Sequence, residues 1–163
     1  MGKVVFRNPN KPKQPAQGVY RWFYVEKGKE KTFYVGQAGA RRRGLVMRPS
    51  TLGRGVSELQ RGASLSGDKD HQTLDTDFIV GTAIMYLTEV KGLVCVWEHV
   101  SNDPHEEKEL CSKRNPILQG GNVRILGRFK LRRPDETSWN NKDPRHVKEA
   151  EQWLYEQFRE VFQ

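Results

Sequence analysis

The 163-residue chain has little cysteine: two residues, Cys95 and Cys111, with no Cys-x-x-Cys and no histidine pair at metal-ligand spacing. Neither a disulfide scaffold nor a thiolate metal site is expected, and both thiols are read as reduced and buried. Long apolar runs are also missing, so no secretory leader core and no membrane span is expected. The expectation is a soluble protein of the cytoplasm, free or nucleoid-associated, with no membrane partner. Acidic residues are scarce at one end. Residues 1–60 hold three Asp/Glu against thirteen Lys/Arg, whereas the remainder holds seventeen against fifteen. The whole positive excess behind the net charge of +8 therefore lies in the first sixty residues. A polyanion is the natural partner for such a segment, because neutralising phosphates releases condensed counterions. The competing reading is a solvated basic face that keeps the chain soluble.

The length suits one domain with extensions, large enough to bury a core without disulfides. No internal repeat is visible. Residues 1–17 form a basic arm: KVVF could be a short strand, and RNPNKPKQPAQ (7–17) carries three prolines and no large apolar residue, so it should be extended. Residues 18–36, GVYRWFYVEKGKEKTFYVG, are two aromatic strands joined by a charged turn. In the first strand, near 18–25, Tyr20, Trp22 and Tyr24 alternate with Val19, Phe23 and Val25, with Arg21 between them. Gly28 suits the turn and TFYVG (32–36) is the second strand. A Gly-, Arg- and Ser-rich stretch follows to residue 76, with short helical turns expected near 39–47 and 56–62. A loop this long inside a domain is usually functional or mobile.

DFIVGTAIMYLTEV (77–90) is continuously apolar and β-branched, and is read as a central strand with a bulge at Gly81. A buried helix is the alternative, since such a run has no period to separate the two. GLVCVWEHV (92–100) is a further strand or the start of a helix. Two Asp-Pro pairs mark helix starts, with Asp as N-cap and Pro at the first position: Asp103-Pro104 and Asp143-Pro144. The first helix should end before Pro116. The second carries Val147, Ala150, Leu154, Phe158 and Val161 on one face.

The order of these residues resembles the GIY-YIG nuclease family. Gly18-Val19-Tyr20 and Tyr34-Val35-Gly36 look like its two paired strand motifs, each with Val in place of Ile. The family places an Arg on a helix shortly afterwards, where this chain has Arg41, Arg42 and Arg43. It also places a Glu at the start of a later helix, then an apolar pair, a Pro, and an Asn three residues beyond the Pro. EKELCSKRNPILQ (107–119) supplies Glu107, Leu110 and Pro116, with Cys111 where an aliphatic is usual and Gln119 where Asn is usual. Asn122 lies close by. The resemblance covers 18–122, with 44–76 as an insertion. The arm and the C-terminal segment 123–163, a loop and an amphipathic helix, lie outside it.

The chemistry implied is hydrolysis of a DNA phosphodiester, which needs an activated water, charge on the phosphate and help for the leaving oxygen. One carboxylate, Glu107, can anchor a single Mg²⁺ or Mn²⁺ that keeps most of its waters. A first-turn Glu favoured by the helix dipole is the competing reading. Arg43 or Arg42 would fork two phosphate oxygens, with Arg54 or Arg61 as equivalents displaced by the insertion. The resemblance implies Tyr20 as general base, with Tyr34 placing the water or a phosphate oxygen. Core packing competes at both tyrosines. Arg41, Arg48, Arg54, Gln119 and Asn122 are candidate DNA contacts. His99 and His105 are candidate relays, and Glu98 and Glu106 are alternative metal carboxylates. Arg132, Arg133, Trp139, Asn140 and Asn141 form a stretch that either reads or stacks on bases or simply connects.

These readings combine into an α/β (α+β) fold: a short, mainly antiparallel sheet flanked by helices, with a basic arm and a C-terminal helix. The implied function is a metal-dependent endonuclease on double-stranded DNA, of restriction or defence type. A homodimer would let two cores cut two strands. The alternative function is a nucleic-acid-binding module of the same fold without activity, which Gln119 favours.

Overall fold

The computed structural model describes residues 2–7, 18–38, 65, 72, 74–101, 103–119, 133, 135–140 and 143–163. Among these, four strands form one mixed sheet: β1 (Val4–Arg7), β2 (Gly18–Glu26), β3 (Lys29–Ala38) and β4 (Val94–Ser101), in the order β1-β4-β2-β3. Two of the three pairings are antiparallel, and β1 runs parallel to β4. The class is α+β. Three helices accompany the sheet: α1 (Thr76–Met85), which continues as a π turn over Tyr86–Val90; α2 (Glu107–Arg114), entered through a 3-10 turn at Pro104–Glu106; and α3 (Pro144–Val161).

The β2–β3 hairpin follows from its sequence. Charged residues 26–31, expected as the turn, mostly pair, and only Lys27 and Gly28 sit at the tip. Both take positive φ, 52° and 75°, which matches the twist of a two-residue hairpin. Alternation places Tyr20, Trp22 and Tyr24 on one face, where they join Phe33, Cys95 and Trp97 in the main core. Val19, Arg21 and Phe23, of opposite parity on β2, are buried too, as are Val35 and Val96, which stand opposite Arg21 and Phe23, so the inner strands are covered on both faces. Cys95 is a buried free thiol whose pKa burial pushes up to about 12. A group so disposed to stay protonated is a packing residue. The side chain of Cys111 lies outside the described residues.

Residues 77–90, read as a strand, are helical; the buried-helix alternative is the one the chain adopts. The run is apolar on every side because α1 packs between the sheet and α3, and neither partner leaves it a polar face. Its two buried threonines settle their hydroxyls along the helix: Thr82 Oγ1 donates to Phe78 O at 2.7 Å and Thr88 Oγ1 to Ile84 O at 2.8 Å. These i−4 bonds satisfy polar groups that have no water nearby. Residues 94–101 are a strand, and residues 4–7 of the expected arm belong to the sheet. The helical turns expected near 39–47 and 56–62 lie outside the described residues.

Both Asp-Pro starts work alike. Asp103 Oδ1 accepts from His105 N at 2.9 Å, and Asp143 Oδ1 accepts from Arg145 N at 2.9 Å, each satisfying a backbone donor of the first turn. The α3 stripe is as the spacing predicts, with His146 added to the buried residues Ala150, Leu154 and Phe158. At the end of α3, Phe162 meets Tyr24, Phe33, Tyr86 and Phe158, with ring centroids 5.4–6.2 Å apart. Lys91 Nζ donates to Phe162 O at 2.6 Å and lies 3.5 Å from Glu26, tying helix ends to the hairpin. No helix among the described residues is long and apolar enough to cross a membrane.

Phe162→Ala should lower unfolding stability by about 3–5 kcal/mol, measured in urea, because it empties the centre of this aromatic cluster. An unchanged midpoint would place the cluster outside the cooperative core. The Asp143 cap predicts an acid response. Its side-chain bond with Arg145 first, then the bond from Arg145 N, hold its carboxyl below the usual 3.8, at about 2. A folded-state pKa below the unfolded value gives stability that is present above about 4 and lost as pH falls toward about 2. The thermal midpoint of the parent should therefore fall more steeply between pH 4 and 2 than that of Asp143→Asn, which caps without titrating. Parallel curves would refute the assignment.

Candidate functional site

The two motif tyrosines meet. In the antiparallel register Tyr20 stands opposite Gly36 on β3 and opposite His99 on β4, and Trp22 opposite Tyr34 and Trp97. One face of the sheet thus carries Tyr34, Tyr20, Trp97 and His99 as a row of rings. Tyr20 lies 6.2 Å from Tyr34 and 6.0 Å from Trp97, and Trp97 stacks on His99 at 6.4 Å. Tyr20 is 4% exposed, His99 is fully buried and Tyr34 is half-buried.

Both motif glycines have a physical cause. Gly18 opens β2 at φ 130°, a region that side chains rarely enter. Gly36 lies directly beneath Tyr20: a Cβ there would overlap Cζ, Cε1 and the hydroxyl of that ring. The first motif's tyrosine and the second motif's glycine are two halves of one contact. Tyr24, two residues further along the same face, behaves differently. Burial first, then Glu26 and Cys95, push its phenol up to about 12, and it packs edge-on against Phe162. Tyr24 is core; a tyrosine on this face is not by that fact reactive.

Glu107 is the first residue of α2 and is half-buried. The 3-10 turn before it lies against β2 and α2 itself lies against β3, so the segment that leads into Glu107 and the helix it opens border the strands bearing Tyr20 and Tyr34. Glu106 and His105 are exposed in the 3-10 turn. Glu98 points to the other face of the sheet, where its Oε1 accepts from Arg21 Nε at 2.8 Å, so it serves a buried ion pair rather than a cation. Among the described residues no group of three His, Cys, Asp or Glu could hold a metal ion. One hard carboxylate, Glu107, is a donor set that fits a cation keeping most of its own waters, such as Mg²⁺ or Mn²⁺, and not zinc.

The Gln119 side chain is engaged by β3. After Pro116 the chain runs along the outer edge of β3: Ile117 N and Leu118 N donate to Thr32 O and Phe33 O at 3.1 and 3.0 Å. The Gln119 carboxamide continues this pairing, accepting from Val35 N at 2.7 Å and donating to Val35 O at 2.9 Å. It is a side chain acting as a strand neighbour, and it grips the residue between Tyr34 and Gly36. Trp139 is 1% exposed, with its ring edge-on to His146, so it is a core residue and not a stacking platform. Arg133 spends Nε and Nη2 on the two Glu149 oxygens, both at 2.8 Å. Arg41, Arg42, Arg43, Arg48, Arg54, Arg61, Asn122, Arg132 and Asn141 lie outside the described residues. The sequence reading missed the partners of Arg21; the available signal was an arginine inside an otherwise aromatic strand. No family model, no curated protein and no solved structure matches this chain.

The Tyr20–Gly36 contact predicts strong coupling. Gly36→Ala should cost about 1–3 kcal/mol by overpacking. Most of that cost should vanish when the same change is made in a Tyr20→Ala background, as a double-mutant cycle by thermal unfolding would record. Additive costs would show that the ring and the glycine do not meet.

Proposed function

We propose that this chain is a GIY-YIG-type nuclease that hydrolyses DNA phosphodiester bonds with a divalent cation. The observation that carries this reading is the joining of the two short motifs into one contact. Tyr20 rests on Gly36 beside Tyr34, on neighbouring strands of which β3 lies against the helix that Glu107 opens and β2 against the 3-10 turn leading into it.

In this reading Tyr20 acts as its phenolate, taking the proton of the attacking water and becoming the neutral phenol, and Tyr34, half-buried, positions that water or a phosphate oxygen. Glu107 holds the cation, and Arg42 or Arg43 holds the phosphate. The cation, when bound, supplies positive charge to the phosphate and to the leaving oxygen. Embedding Tyr20 between Gly36, Tyr34 and Trp97 restricts its ring to one orientation, which reduces the entropy lost in reaching a reactive arrangement. The basic excess of residues 1–60 draws the polyanion to the same end of the chain. The insertion 44–76 and the segment 120–142 would provide sequence recognition, giving a restriction or defence enzyme of the cytoplasm or nucleoid, with a dimer to cut both strands.

The binding-module alternative rested on Gln119 standing in for Asn. The Gln119 carboxamide pairs with the Val35 backbone and supports the strand, a role it can fill in either reading. The purified protein should convert supercoiled plasmid to discrete products with Mg²⁺ and none with EDTA. Glu107→Gln should abolish cutting while leaving salt-sensitive DNA binding intact, and Tyr20→Phe should lower kcat by about 10²–10⁴ with little change in binding. Cutting by Glu107→Gln at the parental rate would remove the metal assignment. DNA binding without cutting, in any metal and on unmodified DNA, would establish the binding module instead.

A further inference from the structure

Arg21 follows Tyr20 directly and points to the opposite face of the sheet. It is 3% exposed, yet it carries a charge. Each guanidinium nitrogen has its own acceptor: Nε donates to Glu98 Oε1 at 2.8 Å, Nη1 to Thr32 Oγ1 at 2.9 Å and Nη2 to Glu30 Oε1 at 2.9 Å. The guanidinium carbon also sits 4.1 Å from the centre of the Phe23 ring. Glu98 is on β4, whereas Thr32 and Glu30 are on β3. One side chain of the middle strand therefore bonds to both neighbours.

Its position in the register gives this bridge its meaning. The pairing of β2 with β4 shifts between Val19 and Tyr20, and the pairing of β2 with β3 shifts between Trp22 and Phe23. Tyr20, Arg21 and Trp22 are the three residues left between the two irregularities, with Arg21 at their centre. Backbone hydrogen bonds do not distinguish one register from the next, and a bulge can move by a residue along an irregular pair. A slip of one residue would carry a side chain to the other face. Three directional bonds to fixed residues on two strands do distinguish registers. Burial of the charge is not needed for stability, since buried ion pairs replaced by apolar residues of similar size are often neutral; fixing a register is their best-attested use.

We propose that Arg21 is a register lock: a positioning residue that, from the back of the sheet, holds Tyr20 over Gly36 and beside Tyr34. Its consequence for catalysis rests on the nuclease reading above; its consequence for the register does not. The test is built to separate the two. Arg21→Met combined with Glu98→Met removes both buried charges together and should melt close to the parent. The Gly36 Hα resonances, which lie under the Tyr20 ring, should be displaced upfield by its ring current in the parent. In the double variant they should lose that displacement or split into several sets. If the parent cuts DNA, kcat of the variant should fall by about 10- to 100-fold with KM within about twofold. Arg21→Lys, which keeps the charge but cannot span both strands, is scored in the same way should the double variant fail to fold. A folded variant with a single, parental set of Gly36 resonances overturns the proposal. A parent that cuts no nucleic acid removes the nuclease reading alone, and the Gly36 resonances still decide the role of Arg21.

Discussion

The arrangement of the site depends on one packing contact, the Tyr20 ring on the bare α-carbon of Gly36. An aromatic ring on the inner strand of a sheet can lie flat across its neighbour only where that neighbour has no side chain. The glycine leaves room for the ring where Tyr20 stands opposite it on β3. Tyr34 then falls on the same face within ring distance, and Trp97 and His99 complete the row from β4. Gln119 reinforces the arrangement from outside by pairing with Val35, the residue between Tyr34 and Gly36. Two glycine-tyrosine motifs sixteen residues apart are, in three dimensions, a single joint.

The sheet divides its labour by face. The face bearing Tyr20, Trp22 and Tyr24 is aromatic and meets α1 and α3, so burial supplies most of its stabilisation. Along that face the environment changes: Tyr24 is enclosed by Phe33 and Phe162 and its phenol is held protonated, whereas Tyr34 keeps partial exposure. The opposite face holds a charge network around Arg21. Hydrophobic contacts are non-directional and tolerate a shifted strand; ion pairs with fixed acceptors do not. Placing the two kinds of interaction back to back lets one hold the sheet together and the other hold it in register.

Much of this was legible in the chain. The hairpin, the two Asp-Pro helix starts and the α3 stripe followed from local rules, because turn residues, caps and a single buried face leave marks at fixed spacing. Residues 77–90 defeated the same rules. Their burial is shared with the sheet and α3, so apolar residues fall on all sides of the helix and no period survives to distinguish helix from strand. The parallel pairing of β1 with β4 joins residues about ninety apart and has no local signature. The acceptors of Arg21 were hidden for the same reason: Glu98 is distant in sequence and was weighed only as a metal carboxylate. Trp139 was weighed as a base-stacking residue because composition alone does not say that His146 lies across its edge.

Gln119 shows how a departure from a familiar pattern should be weighed. Gln and Asn carry the same carboxamide, and Gln adds one methylene. A longer side chain would lose the function of a shorter one if the acceptor and donor were fixed side chains in a rigid pocket. Here both partners are backbone atoms of one residue, Val35, on an edge that the 117–119 segment follows. The extra reach can be absorbed by placing that segment slightly further from the strand, with both hydrogen bonds kept at 2.7 and 2.9 Å. Whether the site cleaves DNA then turns on Glu107, the carboxylate proposed to hold the cation.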